Sequence, residues 1–570
     1  MVVPGPKGGR EAGMQDLGVR QGKRRTVIAV TAVVAVAVLT AGAVAAYLVL
    51  RTEGTPQQTA ASYLSGWQRG SYQAMNQVSV NVPHGGLAGP MKQAAADLGL
   101  RSVRLSLGQV TSASGTAVAR YTAHADLTAG HVWTYQGRLQ LVDRNQHWWV
   151  SWSPAAIYPA LRAGERFSLS AAWPARAQVL AADGTVLSSP AALAESGSLE
   201  LLTGNVVSAT AAQAKKLGAP YQAGDQIGQG GIEEAYQSRL AGKPALSIRI
   251  TGPGSRVDAT TARFAGAPGQ PVRTSIDMNV QRAASQAVAS AATSKPVDLV
   301  AVQPSTGHVL AVVERPGGFN RALEGTFPPG STFKVVTASA LAQTGLRPAS
   351  AVQCPGTTSI GGRTFHNFDN ETLGATNLLT AFAVSCNTTF ATLANQRLSG
   401  NALAAMARTF GFNSGPALGI PATLGRFTRP TDPVGLAADA FGQGTDLVNP
   451  LSQAGVAAAI EDGTWRPPAL VTDPAPRQAA QPHRLSAAIL NTLRPMMRAV
   501  VTIGTASHVG FPPGVYGKTG TAEYGTGKNP PTHAWFIGYH GDLAFAVLVE
   551  GGGLGADASG PIANAFVRKA

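Results

Sequence analysis

Three hydrophobic patterns divide this chain of 570 residues. Apolar side chains run together over 27–50, alternate with polar ones between 103 and 152, and dominate a helix-rich stretch over 378–503. At about 1.5 Å per residue the first run spans about 36 Å, enough to cross a bilayer core of about 30 Å with some tilt. It exceeds the ~7–15-residue apolar region of a signal peptide, and a basic segment ending in Lys23-Arg24-Arg25 precedes it. The expectation is a cytoplasmic tail over 1–26 and a single uncleaved transmembrane helix over 27–50. The remainder then lies on the outer side of the cell membrane.

The second pattern predicts a small α+β domain over 55–154. Tyr63, Leu64 and Trp67 share one face of a helix over 56–69, which Gly70 ends, and a second helical stretch covers 72–78. Alternating strands are expected over 103–110, 117–125, 132–142 and 148–152, with the Trp and Tyr side chains in the core. Residues 155–267 read as a spacer or pedestal. They hold a hairpin over 177–187 with Asp183-Gly184 at its turn, and short helices over 210–218 and 232–240. Glu233 and Glu234 are adjacent and point apart on a helix, so they read as solvated or capping residues rather than an acid/base pair.

The last domain, 271–570, begins with a helix over 279–292 and strands over 298–302 and 308–314. The helical stretch follows, then strands over 515–521, 534–539 and 543–550 and a closing helix over 561–569. Strands from both ends must meet in one antiparallel sheet flanked by helices. The fold class is multidomain α+β with a single N-terminal transmembrane helix.

Hydrophobic residues make up 44% and charged residues 13%, so disorder is not the default. The formal charge is +15. Arginines are scattered, with no dense basic run beyond the N-terminus and no aromatic-basic interleaving, which argues against nucleic acid and suits anionic surroundings such as an envelope. Cys354 and Cys386 are the chain's cysteines and no C-x-x-C occurs, so neither a zinc site nor another metal or cofactor is expected. Outside the cell the two can form a bridge that holds the loop around Cys386; two buried free thiols are the alternative.

The chemistry concentrates at Pro328-Pro329-Gly330-Ser331-Thr332-Phe333-Lys334. A stiff turn leads into an apolar helical run, placing Ser331 at the first turn and Lys334 on the same face one turn on. A serine hydroxyl needs a base, and an amine serves only when its ammonium is disfavoured. Moving a lysine from about 10.4 to about 7 takes roughly 4–5 kcal/mol. Burial, a second cation and the positive end of a helix all push that way. Two further motifs follow in order: Ser385-Cys386-Asn387 in a loop of the helical region, and Lys518-Thr519-Gly520-Thr521 on a strand. Each alone is weak, and Ser399-Gly400-Asn401 rivals the second. The ordered set is the signature of penicillin-interacting serine acyltransferases.

On these motifs the chain resembles the class B penicillin-binding proteins, single-pass extracytoplasmic peptidoglycan D,D-transpeptidases. The likeness extends to Thr274-Ser275-Ile276-Asp277, Phe441-Gly442-Gln443-Gly444 with Asn449-Pro450, Gly520-Thr521-Ala522-Glu523 and His533-Ala534-Trp535-Phe536. The front domain resembles the NTF2-like domain of some resistance-type members, and 155–267 the pedestal, or dimerisation, domain. The resemblance implies that Ser331 attacks the carbonyl between the last two D-alanines of a stem peptide while Lys334 takes its proton. Ser385 would relay a proton to the leaving D-alanine and Asn387 would bind a substrate amide. Lys518, Thr519 and Thr521 would hold the terminal carboxylate, with Gly520 between them. The N–H groups of Ser331 and Thr521 would form an oxyanion hole. β-Lactams would acylate Ser331, and a membrane glycosyltransferase is the implied partner.

Alternatives remain open at this point. A class A β-lactamase needs a glutamate after the second motif, and the only glutamate between Asn387 and Lys518, Glu461 in Glu461-Asp462-Gly463, reads as part of a turn rather than that motif. A D,D-carboxypeptidase shares the same residues. A β-lactam sensor or non-catalytic scaffold of the wall-building complex would bind without turnover. Glu523 and His533 lie near the last motif and read as structural hydrogen-bonding groups.

Overall fold

The computed structural model describes residues 54–570 except 146, 478–479 and 528–529, and the side chains in that range other than those of 129 and 255. The expected tail over 1–26 and transmembrane helix over 27–50 lie outside the described residues. Among the described residues no helix is long and apolar enough to cross a membrane. The chain forms two compact units.

Among the described residues, the first unit takes in 54–172 together with Leu217–Tyr221 and Pro244–Ala265. Its first helix, Pro56–Gln68, starts where Thr55 and Gln58 cap each other's backbone N–H groups, with proline in the first turn. Tyr63, Leu64 and Trp67 are buried on one side. A five-stranded sheet follows, in the order Ser79–Val80, His147–Ser151, Val132–Arg144, Thr116–Leu127, Leu100–Ala113. Alternation is clear in Thr116–Leu127, where Ala117, Ala119, Tyr121, Ala123, Ala125 and Leu127 are all buried. A Cβ at Gly137 would lie 2.0 Å from the Tyr121 ring, so glycine there makes room for it. The Tyr121 hydroxyl donates to the Ala156 and Ile157 carbonyls. A three-stranded sheet of Val257–Phe264, Ala245–Thr251 and Arg166–Ala172 also belongs to this unit. Residues 155–267 thus contribute to both units.

The second unit is built on a five-stranded antiparallel sheet in the order Val309–Arg315, Val297–Val302, Ala544–Val549, Thr532–His540, Val515–Glu523. Every residue of Val297–Val302 and Ala544–Val549 is buried, so helices must cover both faces. Met278–Ala289 packs with Gly555–Val567, and Pro450–Asp462 with Ala487–Thr502, each against the sheet. The expected closing helix over 561–569 therefore starts earlier, at Gly555, and Pro561 lies inside it. The hairpin turn falls at Asp183-Gly184: Ala181 N–H donates to Thr185 O, and Asp183 caps the Thr185 N–H. Glu233 differs from the expectation of a solvated or capping residue. It is 3% exposed and paired with Arg176 at 2.6 Å, whereas Glu234 caps the Gly230 N–H.

Candidate active site

Ser331 sits on a single 3-10 turn, Gly330–Phe333, that runs into the α-helix Lys334–Gln343. Three residues per turn bring position i+3 directly over position i, and Lys334 Nζ lies 2.9 Å from Ser331 Oγ. Gly330 has a φ of 53°, and a Cβ on it would meet the Thr521 carbonyl at 2.5 Å. Only glycine lets the strand pass this close to the nucleophile's backbone. Thr332 Oγ1 donates to Pro329 O and accepts from Gln453 Nε2, so the turn is fixed from inside.

Ser385 closes the helix Leu378–Ala383. Its N–H donates to Phe382 O and the Cys386 N–H to Ala381 O, the paired bonds of a Schellman stop. That stop needs a left-handed residue, usually glycine, and Ser385 takes it with a φ of 67°. A side chain there costs about 1–2 kcal/mol, and what it supplies is a hydroxyl between two lysine amines. Lys334 Nζ is 3.1 Å and Lys518 Nζ 2.9 Å from Ser385 Oγ. Lys334 also donates to Ser385 O and Asn387 Oδ1, both at 2.6 Å. A neutral amine has two N–H groups and a lone pair. Those carbonyl oxygens take both N–H groups, which leaves the lone pair for the Ser331 hydroxyl proton. Cys386 is bridged to Cys354, with the Cα atoms 6.2 Å apart. The bridge ties this loop to the strand Ala351–Cys354.

Lys518, Thr519, Gly520 and Thr521 lie on the edge strand Val515–Glu523. A Cβ on Gly520 would fall 2.8 Å from the Thr332 methyl, so glycine lets strand and nucleophile turn touch. Both lysines are fully buried, Lys334 beside the Phe390 ring and Lys518 beside that of Phe382. Burial holds Lys334 well below the usual lysine range, and the Lys518 charge adds to this. Burial brings Lys518 down to about 7. Ser331, Ser385, Asn387, Thr519 and Thr521 all line one cleft of about 660 Å³. All of the sequence-nominated residues are thus brought together; the rival Ser399-Gly400-Asn401 instead starts another helix, where Ser399 caps the Ala402 N–H.

Thr505 and Asn367 were not singled out by sequence. Thr505 Oγ1 is 2.6 Å from Thr519 Oγ1 and lines the cleft. Asn367 is buried; it donates to Pro355 O and Glu371 O and accepts the Thr388 N–H, which fastens the cleft wall to the helix bearing Asn387. Gln443, inside the quoted Phe441–Gly444 motif, donates to Thr521 O. Glu523 is exposed on the cleft rim. His533 is buried, accepts the Gly551 N–H and stacks on Tyr524, and burial lowers it to about 4, so it is neutral.

Residues 298–570 match the penicillin binding protein transpeptidase domain, 55–165 the NTF2-like N-terminal transpeptidase domain, and 194–274 the penicillin-binding protein dimerisation domain. Peptidoglycan D,D-transpeptidase PbpA of Mycolicibacterium smegmatis is 32% identical over 48% of this chain and 66% of its own length. The PbpA of Mycobacterium tuberculosis is 31% identical over the same shares. Among solved structures, Pseudomonas aeruginosa PBP2 in complex with WCK 5153 aligns with a TM-score of 0.58 at 25% identity, covering 70% of this chain and 96% of that one. The chain thus spans 66% of the length of the curated relatives it matches first.

Proposed function

The chain belongs to the class B penicillin-binding proteins, and from that premise we propose that it is a serine-type peptidoglycan D,D-transpeptidase. The observation that carries this is Lys334 Nζ, fully buried, 2.9 Å from Ser331 Oγ with its N–H groups directed at two carbonyl oxygens. In this reading Lys334 takes the Ser331 proton as Oγ attacks the carbonyl between the two terminal D-alanines of a stem peptide. The Ser331 and Thr521 N–H groups stabilise the oxyanion. The Ser385 hydroxyl passes a proton to the departing D-alanine amine, and Asn387 holds a substrate amide. Lys518, Thr519 and Thr521 seat the terminal carboxylate, with Thr505 supporting Thr519. An amine from a second stem peptide then attacks the ester carbon, the Ser331 oxygen leaves, and the new peptide bond is the cross-link. β-Lactams, which mimic the D-Ala-D-Ala end, acylate the same oxygen.

The finer organisation is part of the proposal: a tail over 1–26, a membrane anchor over 27–50, an NTF2-like domain over 55–154, a pedestal over 155–267 and the transpeptidase domain over 271–570. A membrane glycosyltransferase is the proposed partner. The test is to incubate the chain with a pentapeptide ending in D-Ala-D-Ala and an amine acceptor. D-Alanine release with cross-linked product, lost in Ser331→Ala, is expected. Release with hydrolysis alone would mean a carboxypeptidase, and lasting acylation without release would mean a sensor.

A further inference from the structure

Two aspartates are buried together beside the turn that braces the nucleophile. Asp439 lies near the end of the helix Pro433–Ala440, and Asp446 follows the Gly442-Gln443-Gly444 turn; they are 2% and 1% exposed. Asp439 Oδ1 accepts the Thr445 N–H at 2.8 Å. Gly444 lies over the same carboxylate, and a Cβ there would be 1.7 Å from Asp439 Oδ1. Neither carboxyl oxygen of Asp446 accepts a well-formed hydrogen bond among the described residues. It faces the Asp439 carboxyl and the peptide groups of Gly444 and Asp446. The further charge bearing on Asp439 is another carboxylate, Asp432, at the start of the helix.

Two carboxylates in contact, buried and with no cation paired to either among the described residues, cannot both ionise. A proton on Asp446 turns an unpartnered acceptor into an O–H donor toward Asp439. The loop so closed reaches the reacting groups from both sides. Gly442 O accepts the Gly330 N–H at 3.0 Å, next to Ser331, and Gln443 Nε2 donates to Thr521 O at 3.3 Å. A Cβ on Gly442 would lie 1.9 Å from Gly330 O, so this turn has no slack.

We propose that Asp439 and Asp446 share a proton and act as positioning residues, clamping the Gly442-Gln443 turn against the nucleophile loop and the strand that seats the substrate carboxylate. The role in acyl transfer rests on the function proposed above; the shared proton does not. Burial raises Asp446 well above the usual carboxylate range, with the Asp439 charge adding, and burial raises Asp439 to about 6. An unfolded aspartate releases its proton near about pH 4, whereas the folded pair keeps one. The contribution of the pair to stability therefore falls as pH rises, and its ionisation loosens the turn.

The test uses the full chain, Asp446→Asn and Asp446→Ala, with thermal unfolding from pH 6 to 9 and the rate of labelling by a fluorescent penicillin. The asparagine amide donates to Asp439 without a titrating proton. Asp446→Asn should lose less Tm toward pH 9 than wild type and label at pH 7 within about twofold of it, while Asp446→Ala should label about tenfold more slowly. If Asp446→Asn does not fold, Asp439→Asn replaces it, because removing the neighbouring charge also lessens the alkaline loss. Superimposable Tm profiles for wild type and the folded asparagine variant would overturn the shared proton. Wild-type labelling in Asp446→Ala would overturn the positioning role. If wild-type Ser331 takes no β-lactam at all, the proposed function fails, and the Tm profiles still decide the shared proton.

Discussion

Two buried ionic clusters in the second unit treat desolvation in opposite ways. Around Arg321, one guanidinium meets Asp298 at 2.9 Å, Glu550 at 2.8 Å and Glu314 at 3.8 Å. Around Ser385, two buried lysines meet hydroxyls and carbonyls, and among the described residues no carboxylate pairs with either lysine. The first cluster has its counter-charge built in and fixes the helix Arg321–Glu324, which leads toward Ser331. The second lacks one. Its lysines are driven toward the neutral form, and in the proposed function the missing anion is the carboxylate of a stem peptide. An internally paired cluster holds structure, whereas one short of a counter-ion is ready for a proton transfer and a ligand.

Removing the basic side chain from each cluster breaks the comparison most sharply. Lys334→Met should slow β-lactam acylation by about 10²–10⁴-fold while Tm holds or rises, since an apolar chain replaces a costly buried amine. Arg321→Met should cost about 3–5 kcal/mol of stability by orphaning buried carboxylates, with the folded fraction still acylated. Denaturant unfolding beside labelling separates the two. Lys518→Met removes the proposed carboxylate seat, together with a bond to Ser385 Oγ and a charge that helps keep Lys334 neutral. It should lower kcat/KM for D-Ala-D-Ala peptides by about 10–150-fold, the worth of about 1.5–3 kcal/mol for a hydrogen bond to a charged group.

pH sharpens the contrast. Lys518 holds its proton to about 7 when folded and to about 10.4 when unfolded, so its contribution to stability grows as pH rises across that window. Asp298 is raised to about 8 by burial, against the pull of Arg321. Its unfolded value is about 3.9, so its contribution falls as pH rises to about 8. In catalysis, kcat/KM should fall at acid pH as Lys334 gains a proton and fall above about 7 as Lys518 loses one. Lys518→Arg should remove the alkaline fall. The smallest effect belongs to Ser385. Ser385→Gly and Ser385→Ala both lose the hydroxyl, but glycine should be more stable by about 1–2 kcal/mol because it takes the left-handed φ without strain.

What was legible in the sequence follows from how local each feature is. The strand Thr116–Leu127 reads as a strand because one face is buried and the residues alternate. The helix Ala88–Leu98 does not read as one, since only Met91 and Leu98 are buried in it. Pro561 reads as a helix start because a proline usually is one, yet here it lies within Gly555–Val567. Ser331 with Lys334 is a single turn and is visible as such. Thr505 meets Thr519 across 14 positions, Asn367 meets Thr388 across 21, and Gln453 meets Thr332 across 121. Such partners carry no spacing rule, so only the fold reveals them.

The central claim is that Ser331 Oγ becomes a nucleophile because Lys334 is uncharged beside it. Intact-mass and peptide mapping after incubation with benzylpenicillin, for wild type and Lys334→Met, tests it directly. A single adduct on the Ser331 peptide in wild type, forming at least about a hundredfold more slowly in Lys334→Met, is the predicted result. An adduct elsewhere, or equal rates in both proteins, would contradict it.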